Sequence, residues 1–271
     1  MHQKRILLLL LSLFLLLVIS CSTGPDFSID YERYKLENGL AVILHHDTSD
    51  PVTAVAVQYH VGSNREEPGK TGFAHLFEHM MFQESQNVGQ DEFFQKIQSA
   101  GGTLNGGTSN DGTVYFEVVP KNALEMDRMG YLLPRVTLEA FKNQQGVVMN
   151  EKRQNYDNRP YGHTGYVIGK LLYPDGHPYN WQVIGSMEDL ARASLEDVHD
   201  FHQKWYRPNN ATLVVAGDYD PDTIRDLIKK YFGEVEKGGD ITDVPPQNVS
   251  LSETKRVFYE DDFAKSPELN M

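Results

Sequence analysis

Only one cysteine, Cys21, occurs in the 271 residues. No disulfide can close within the chain and no site built on two thiolates can be assembled from it, so a bound metal would need His, Asp or Glu ligands. Basic residues are also scarce, with 25 Lys and Arg against 38 Asp and Glu for a formal charge of −13. That balance opposes attraction to a phosphate backbone, and no Lys/Arg run interleaved with aromatics offsets it, so nucleic acid is not an expected partner. There is no internal repeat at a fixed period, and no low-complexity segment beyond the N-terminal region. What is present is a globular composition, 40% hydrophobic and 23% charged, sufficient for the core of one large or two small domains.

The one long apolar run stands at the start. Lys4 and Arg5 precede residues 6–19, which are apolar except for Ser12, and Ser20-Cys21 follow. A run of 14 residues is short of the roughly 20 that a membrane-spanning helix needs. Basic residues, apolar stretch and small residue, in that order, make a secretory signal, with an uncleaved anchor as the alternative. Val18-Ile19-Ser20-Cys21 resembles the lipobox of bacterial lipoproteins. The resemblance implies a signal peptide over 1–21, lipidation of Cys21, a tether over 22–33, and a lipid-anchored place in the cell envelope. Ser22 behind the cysteine favours the outer membrane, facing the periplasm.

Beyond the tether, residues 40–44 and 52–61 read as strands, and the Asp/Ser/Pro turn signal between them predicts a hairpin. Residues 62–72 form a polar loop before a mostly buried helix over 73–82. Asp91 is the expected N-cap of a helix through Phe94 and Ile97, stopped by Gly101-Gly102, with a strand or hairpin over 103–119. A further helix is expected over 138–156. Ser194 and Asp197 form a capping-box pattern ahead of Val198, Phe201 and Trp205, and 211–216 reads as a strand. Asp220-Pro221 predicts a cap and first-turn proline for a helix with Ile224, Leu227, Ile228 and Tyr231 as its apolar stripe and Gly233 as its stop. Residues 238–249 are linker-like. Strands and helices in this mixed order predict an α+β layer fold.

Within the helix over 73–82, His75-Leu76-Phe77-Glu78-His79 reads H-x-x-E-H. At about 100° per residue its three polar side chains fall within roughly 100° of arc, leaving Leu76, Phe77, Met80 and Met81 for the core. Histidines at i and i+4 can share one Zn²⁺, while the carboxylate beside them can reach a metal-activated water. The bland alternative makes both histidines hydrogen-bonded core groups and Glu78 an ion-pair partner. A zinc hydrolase also needs a third protein ligand and an open fourth position. Downstream, Glu151 stands where an apolar helix turn meets Lys152-Arg153, a setting equally suited to an exposed salt bridge. The other histidines, at 45, 46, 60, 163, 177, 199 and 202, show no metal-like spacing.

H-x-x-E-H followed by Asn150-Glu151-Lys152-Arg153 resembles the pitrilysin/insulinase-type zinc peptidases, also called inverzincins. Supporting stretches are Gly72-Phe73-Ala74, Gly101-Gly102-Thr103-Leu104-Asn105, Arg159-Pro160-Tyr161-Gly162 and Tyr206-Arg207-Pro208-Asn209-Asn210. The resemblance implies a mixed, largely antiparallel sheet covered by helices, and a zinc peptidase domain over 34–236. It implies one Zn²⁺ per chain on His75, His79 and Glu151, with Glu78 as general base. It further implies a peptide substrate held as an added strand near Asn105, Gly106, Gly107 and Thr108, for which a flexible hairpin turn is the alternative.

Three departures from the family pattern bear on function. The interval from His79 to Glu151 is short by a few residues, around 122–129, and a lost helical turn would carry Glu151 about 5 Å away unless a loop compensates. The position seven residues before Glu151, where many relatives carry a supporting Glu, is Gln144. The family's working unit pairs the zinc domain with a second domain of the same fold, and residues 237–271 hold only a linker and the start of such a region. The sequence therefore predicts a lipid-tethered zinc endopeptidase acting on short or unfolded peptides together with a second homologous domain or subunit. A non-catalytic or partner-dependent subunit is the alternative. S-ribosylhomocysteine lyases share H-x-x-E-H but use a cysteine as third ligand, which Cys21 in the signal does not supply.

Overall fold

The computed structural model describes residues 28–85, 88–89, 92–121, 136–243, 245 and 247–271. Cys21, Asp91 and the 122–129 stretch lie outside them, and with them the expected lipidation site, the expected Asp91 cap and the expected shortening before Glu151.

Among the described residues six strands form one sheet: β1 (Glu32–Lys35), β2 (Ala41–His46), β3 (Val52–Tyr59), β4 (Thr103–Thr108), β5 (Thr113–Pro120) and β6 (Ala211–Gly217). Their order is β1-β2-β6-β3-β5-β4. The pair β2–β6 is parallel and every other pair antiparallel, so the sheet is mixed and largely antiparallel, as expected.

The hairpin expected between β2 and β3 does not form. The turn reverses the chain, but β6 is wedged between the two strands, with Gly217 opposite His46 on one side and Thr53 on the other. Asp47 N–H donates to the Gly217 carbonyl (3.1 Å) and Asp218 N–H to the Val52 carbonyl (2.8 Å), sealing the wedge. β6 carries Leu213 and Val215 at zero exposure, and a strand this apolar belongs in the interior of a sheet with both backbone edges paired. Turn composition is local, whereas a choice of neighbours made about 170 residues away in sequence is not.

Seven α-helices lie among the described residues: α1 (Phe73–Met80), α2 (Glu92–Ser99), α3 (Leu138–Lys152), α4 (Thr164–Leu172), α5 (Met187–Arg192), α6 (Leu195–Trp205) and α7 (Ile224–Phe232). α6 starts on the expected capping box, Ser194 and Asp197 serving each other's backbone N–H groups. α7 starts later than expected. Asp220 organises the preceding turn instead, accepting from the Asp222 N–H and the Thr223 hydroxyl, each at 3.0 Å, and Thr223 is the helix's N-cap residue. The apolar stripe still buries Ile224 and Ile228, with Phe232 in place of the half-buried Tyr231.

The main core joins strand residues such as Val42, Val55 and Leu213 to Phe73, Leu76 and Phe77 of α1, Phe141 and Val148 of α3, and Ile228 of α7. A smaller cluster of Val88, Phe93, Ile97 and Val119, with Phe82 and Leu104 against it, fastens α2 to the β4–β5 hairpin. The two helices carrying the motif residues are thereby buried on their apolar sides by the sheet and by one another.

Candidate metal centre

α1 is held from outside its own first turn. The buried Glu66 carboxylate accepts from the Gly72 N–H (3.0 Å) and the Ala74 N–H (2.8 Å), two donors that a helix N-terminus leaves without internal partners. Burial pushes the Glu66 carboxyl up to about 8, against the opposing pull of those donors. Gly72 occupies a left-handed conformation at φ +88°, and a Cβ there would stand 2.8 Å from the Ile184 carbonyl oxygen. Along α1, Phe73, Ala74, Leu76, Phe77 and Met80 are buried, while His75, Glu78 and His79 are half-buried. The polar face predicted from the spacing is thus the one part of the helix turned away from the core.

α3 enters on Thr137, whose hydroxyl accepts from the Ala140 N–H at 3.1 Å, and buries Phe141, Gln145 and Val148. Glu151 lies in its last turn, after which the chain widens into a π-helical turn over Arg153–Asp157. The neighbouring cations are engaged elsewhere: Lys152 donates to Asp157 (2.9 Å) and Arg153 to the Asn150 side chain (2.7 Å). The salt-bridge alternative for Glu151 is therefore not what the structure holds. Instead Glu151 Oε2 lies 3.7 Å from His75 Nε2 and 3.4 Å from His79 Nε2. The three ligating atoms fall within 4.8 Å of one another, the single such His/Cys/Asp/Glu group among the described residues. Ligands about 2.0–2.1 Å from a tetrahedral zinc are separated by about 3.3–3.5 Å, so the donor types and the two Glu151–imidazole distances suit that ion.

Burial dominates the electrostatics of this cluster. Burial, with His79 adding to it, pushes the His75 imidazole down to about 4, favouring the neutral form that ligates. His75 Nδ1 is buried with no partner among the described residues. Burial raises the Glu78 carboxyl, and the Thr108 hydroxyl, donating to Glu78 Oε2 at 2.6 Å, works against that rise.

Asn105, Gly106, Gly107 and Thr108 all lie in β4, at the edge of the sheet, and not in a turn. The turn falls immediately after them, where Ser109 N–H donates to the Gly112 carbonyl at 2.8 Å. A Cβ on Gly107 would meet nothing within 4 Å, whereas one on Gly106 would crowd the Phe82 ring at 3.0 Å. Asn105 turns its side-chain oxygen to the Gly106 N–H (2.9 Å). Gln144 is half-buried on α3. Sequence reasoning missed Glu66, which carries no motif, and the bond of Thr108 to Glu78, since the two residues belong to different elements 30 positions apart.

An H-x-x-E-H helix laid on a mixed sheet, with a glutamate from a second helix closing on it, defines the class of inverted-motif metallopeptidases. Two sequence profiles of one family match the chain: insulinase (peptidase family M16) over residues 41–162, and the peptidase M16 inactive domain over 192–271. The zinc protease PqqE of Helicobacter pylori is 34% identical over 233 residues, covering 83% of this chain and 52% of PqqE. The mitochondrial-processing peptidase subunit beta of Saccharomyces cerevisiae is 27% identical over 213 residues, 75% of this chain and 44% of that one. The crystal structure of a protease from Helicobacter pylori superposes with a TM-score of 0.75 at 31% identity, covering 83% of this chain and 55% of that one. The chain belongs to the pitrilysin/insulinase-type M16 peptidase family, and it spans about half the length of the curated relatives it matches.

Proposed function

We propose that the chain is the zinc-binding half of an M16 endopeptidase, cleaving short or unfolded peptides in the bacterial cell envelope, to which Cys21 anchors it by lipid. His75, His79 and Glu151 are the residues that hold the zinc. The observation that carries this reading is the approach of Glu151 to both imidazoles at 3.7 and 3.4 Å while its basic neighbours are paired elsewhere.

Zinc held there supplies Lewis acidity, which makes water nucleophilic near neutral pH and polarises a peptide carbonyl. Glu78, on the same helix face and not among the converging ligands, takes the proton of the attacking water at its carboxylate and returns it to the departing amine. A carboxyl raised by burial suits both halves of that task, since it accepts a proton readily and still releases it. Thr108 orients the base through its hydroxyl. The edge of β4, without a partner strand among the described residues, receives the substrate as an added strand, with Asn105, Gly106 and Gly107 facing its backbone. A second homologous half, in the same protein or a separate subunit, closes over the substrate.

The test compares the full chain with Glu78→Gln, alone and with its companion half, by zinc stoichiometry and hydrolysis of a quenched peptide. Both proteins are expected to bind one zinc and only the unmodified one to turn over. Turnover that survives Glu78→Gln refutes the role of Glu78, and a chain that binds zinc but cleaves nothing in either setting is a non-catalytic subunit.

A further inference from the structure

Glu151 and the two histidines belong to different helices, and a third, short helix touches the anchorage of both. On the histidine side, Asp189 of α5 accepts from the Thr71 N–H (3.1 Å) and from the Thr71 hydroxyl (2.7 Å). The Thr71 hydroxyl oxygen in turn accepts from the Ser186 N–H (3.0 Å), so Thr71, two residues ahead of α1, is latched to the N-terminus of α5 in both directions. On the glutamate side, Gln145 of α3 donates its amide to the carbonyls of Leu190 (2.6 Å) and Ala193 (3.2 Å), at the other end of α5. Gln145 Oε1 accepts from the Lys142 ammonium (2.9 Å), which fixes the amide's orientation, since a flipped amide would turn oxygen against two carbonyl oxygens.

Thr71, Gln145 and Asp189 are 7, 7 and 6% exposed. Polar groups this deep are costly unless bonded, so the arrangement is specified rather than incidental. Gln145 lies about 9 Å along the helix axis and roughly a third of a turn around from Glu151, too far to touch the candidate ligands. Its influence on them passes through the helix as a rigid bar. The burial that packs α1 on α3 is non-directional and can be satisfied in more than one relative position of the two helices, whereas hydrogen bonds to fixed partners select one of them.

We propose that the Thr71–Asp189–Gln145 latch sets the register of α3 against α1, and that Gln145 is a positioning residue holding the Glu151 carboxylate within reach of His75 and His79. This rests on the zinc reading given above.

The experiment measures zinc affinity of the full chain by competition with a chromophoric chelator, with zinc alone as the probe. Gln145→Leu removes both donors at similar volume, and Thr71→Val, nearly isosteric, opens the far end of the latch should Gln145→Leu not fold. Each is expected to weaken zinc binding by about 10-fold or more, the range seen when supporting residues of a metal site are lost. In a Glu151→Gln background the same substitutions are expected to change the affinity by less than about 2-fold, because the ligand they position is already gone. Equal weakening in both backgrounds, or none in either, overturns the latch while leaving the metal site standing. A wild-type chain that takes up no zinc overturns the metal reading and the latch with it.

Discussion

His202, 4% exposed in α6, lies directly behind the motif helix. Its ring stacks on Tyr206 with centroids 5.8 Å apart and planes 10° apart, and stands 5.3 Å from Phe77. Neither ring nitrogen has a partner among the described residues. Burial, reinforced by Arg207 and His199, pushes its pKa down to about 3. The unfolded chain binds a proton at about pH 6.5 and the folded one does not, so stability is lost as the pH falls through that window. With pKa values of about 6.5 unfolded and about 3 folded, His202 alone makes the fold about 2 kcal/mol less stable at pH 5 than at pH 8. His202→Phe keeps an aromatic ring against Tyr206 and Phe77 and abolishes this titration. Urea unfolding of both proteins at pH 8 and pH 5 gives the test. The unmodified chain is expected to lose about 2 kcal/mol more than the variant over that interval, while His75, lowered in the same direction, cancels between them. Equal losses would show that His202 titrates normally, and the packing argument would fail.

Two further substitutions probe how the motif helix is seated. Phe77→Ala empties a site 1% exposed and packed 4.2 Å from the Tyr206 ring; a loss of about 3–5 kcal/mol is expected in urea unfolding, and a loss under about 1 kcal/mol would mean the helix is not a core element. Gly72→Ala forces a side chain into a left-handed conformation against the Ile184 carbonyl. A cost of at least about 2 kcal/mol in thermal or urea unfolding is expected, and a neutral result would contradict the close approach of the two loops.

Much of the local structure was readable without coordinates because it rests on short-range rules. Three polar residues at i, i+3 and i+4 among apolar neighbours can only be one face of a helix, and α1 presents them so. The Ser194–Asp197 box follows from capping chemistry within a few residues, and the strand-or-hairpin pattern read over 103–119 is a hairpin, although the position of its turn was not read from the sequence. α7 starts later than expected because both Asp220 carboxylate oxygens are taken by the Asp222 N–H and the Thr223 hydroxyl of the preceding turn.

By itself the sequence determined the chemistry available: one cysteine, an inverted histidine motif on an amphipathic helix, and a glutamate after an apolar turn, all consequences of residue type and a 3.6-residue period. The tertiary structure decided who meets whom. It inserted β6 between β2 and β3, brought the Thr108 hydroxyl to Glu78, tied the Gln145 amide to the Leu190 carbonyl of α5, and carried Glu151 to the two imidazoles. These are contacts between groups 30 to 170 or so positions apart, and they arise only when burial of whole apolar faces fixes the elements against each other.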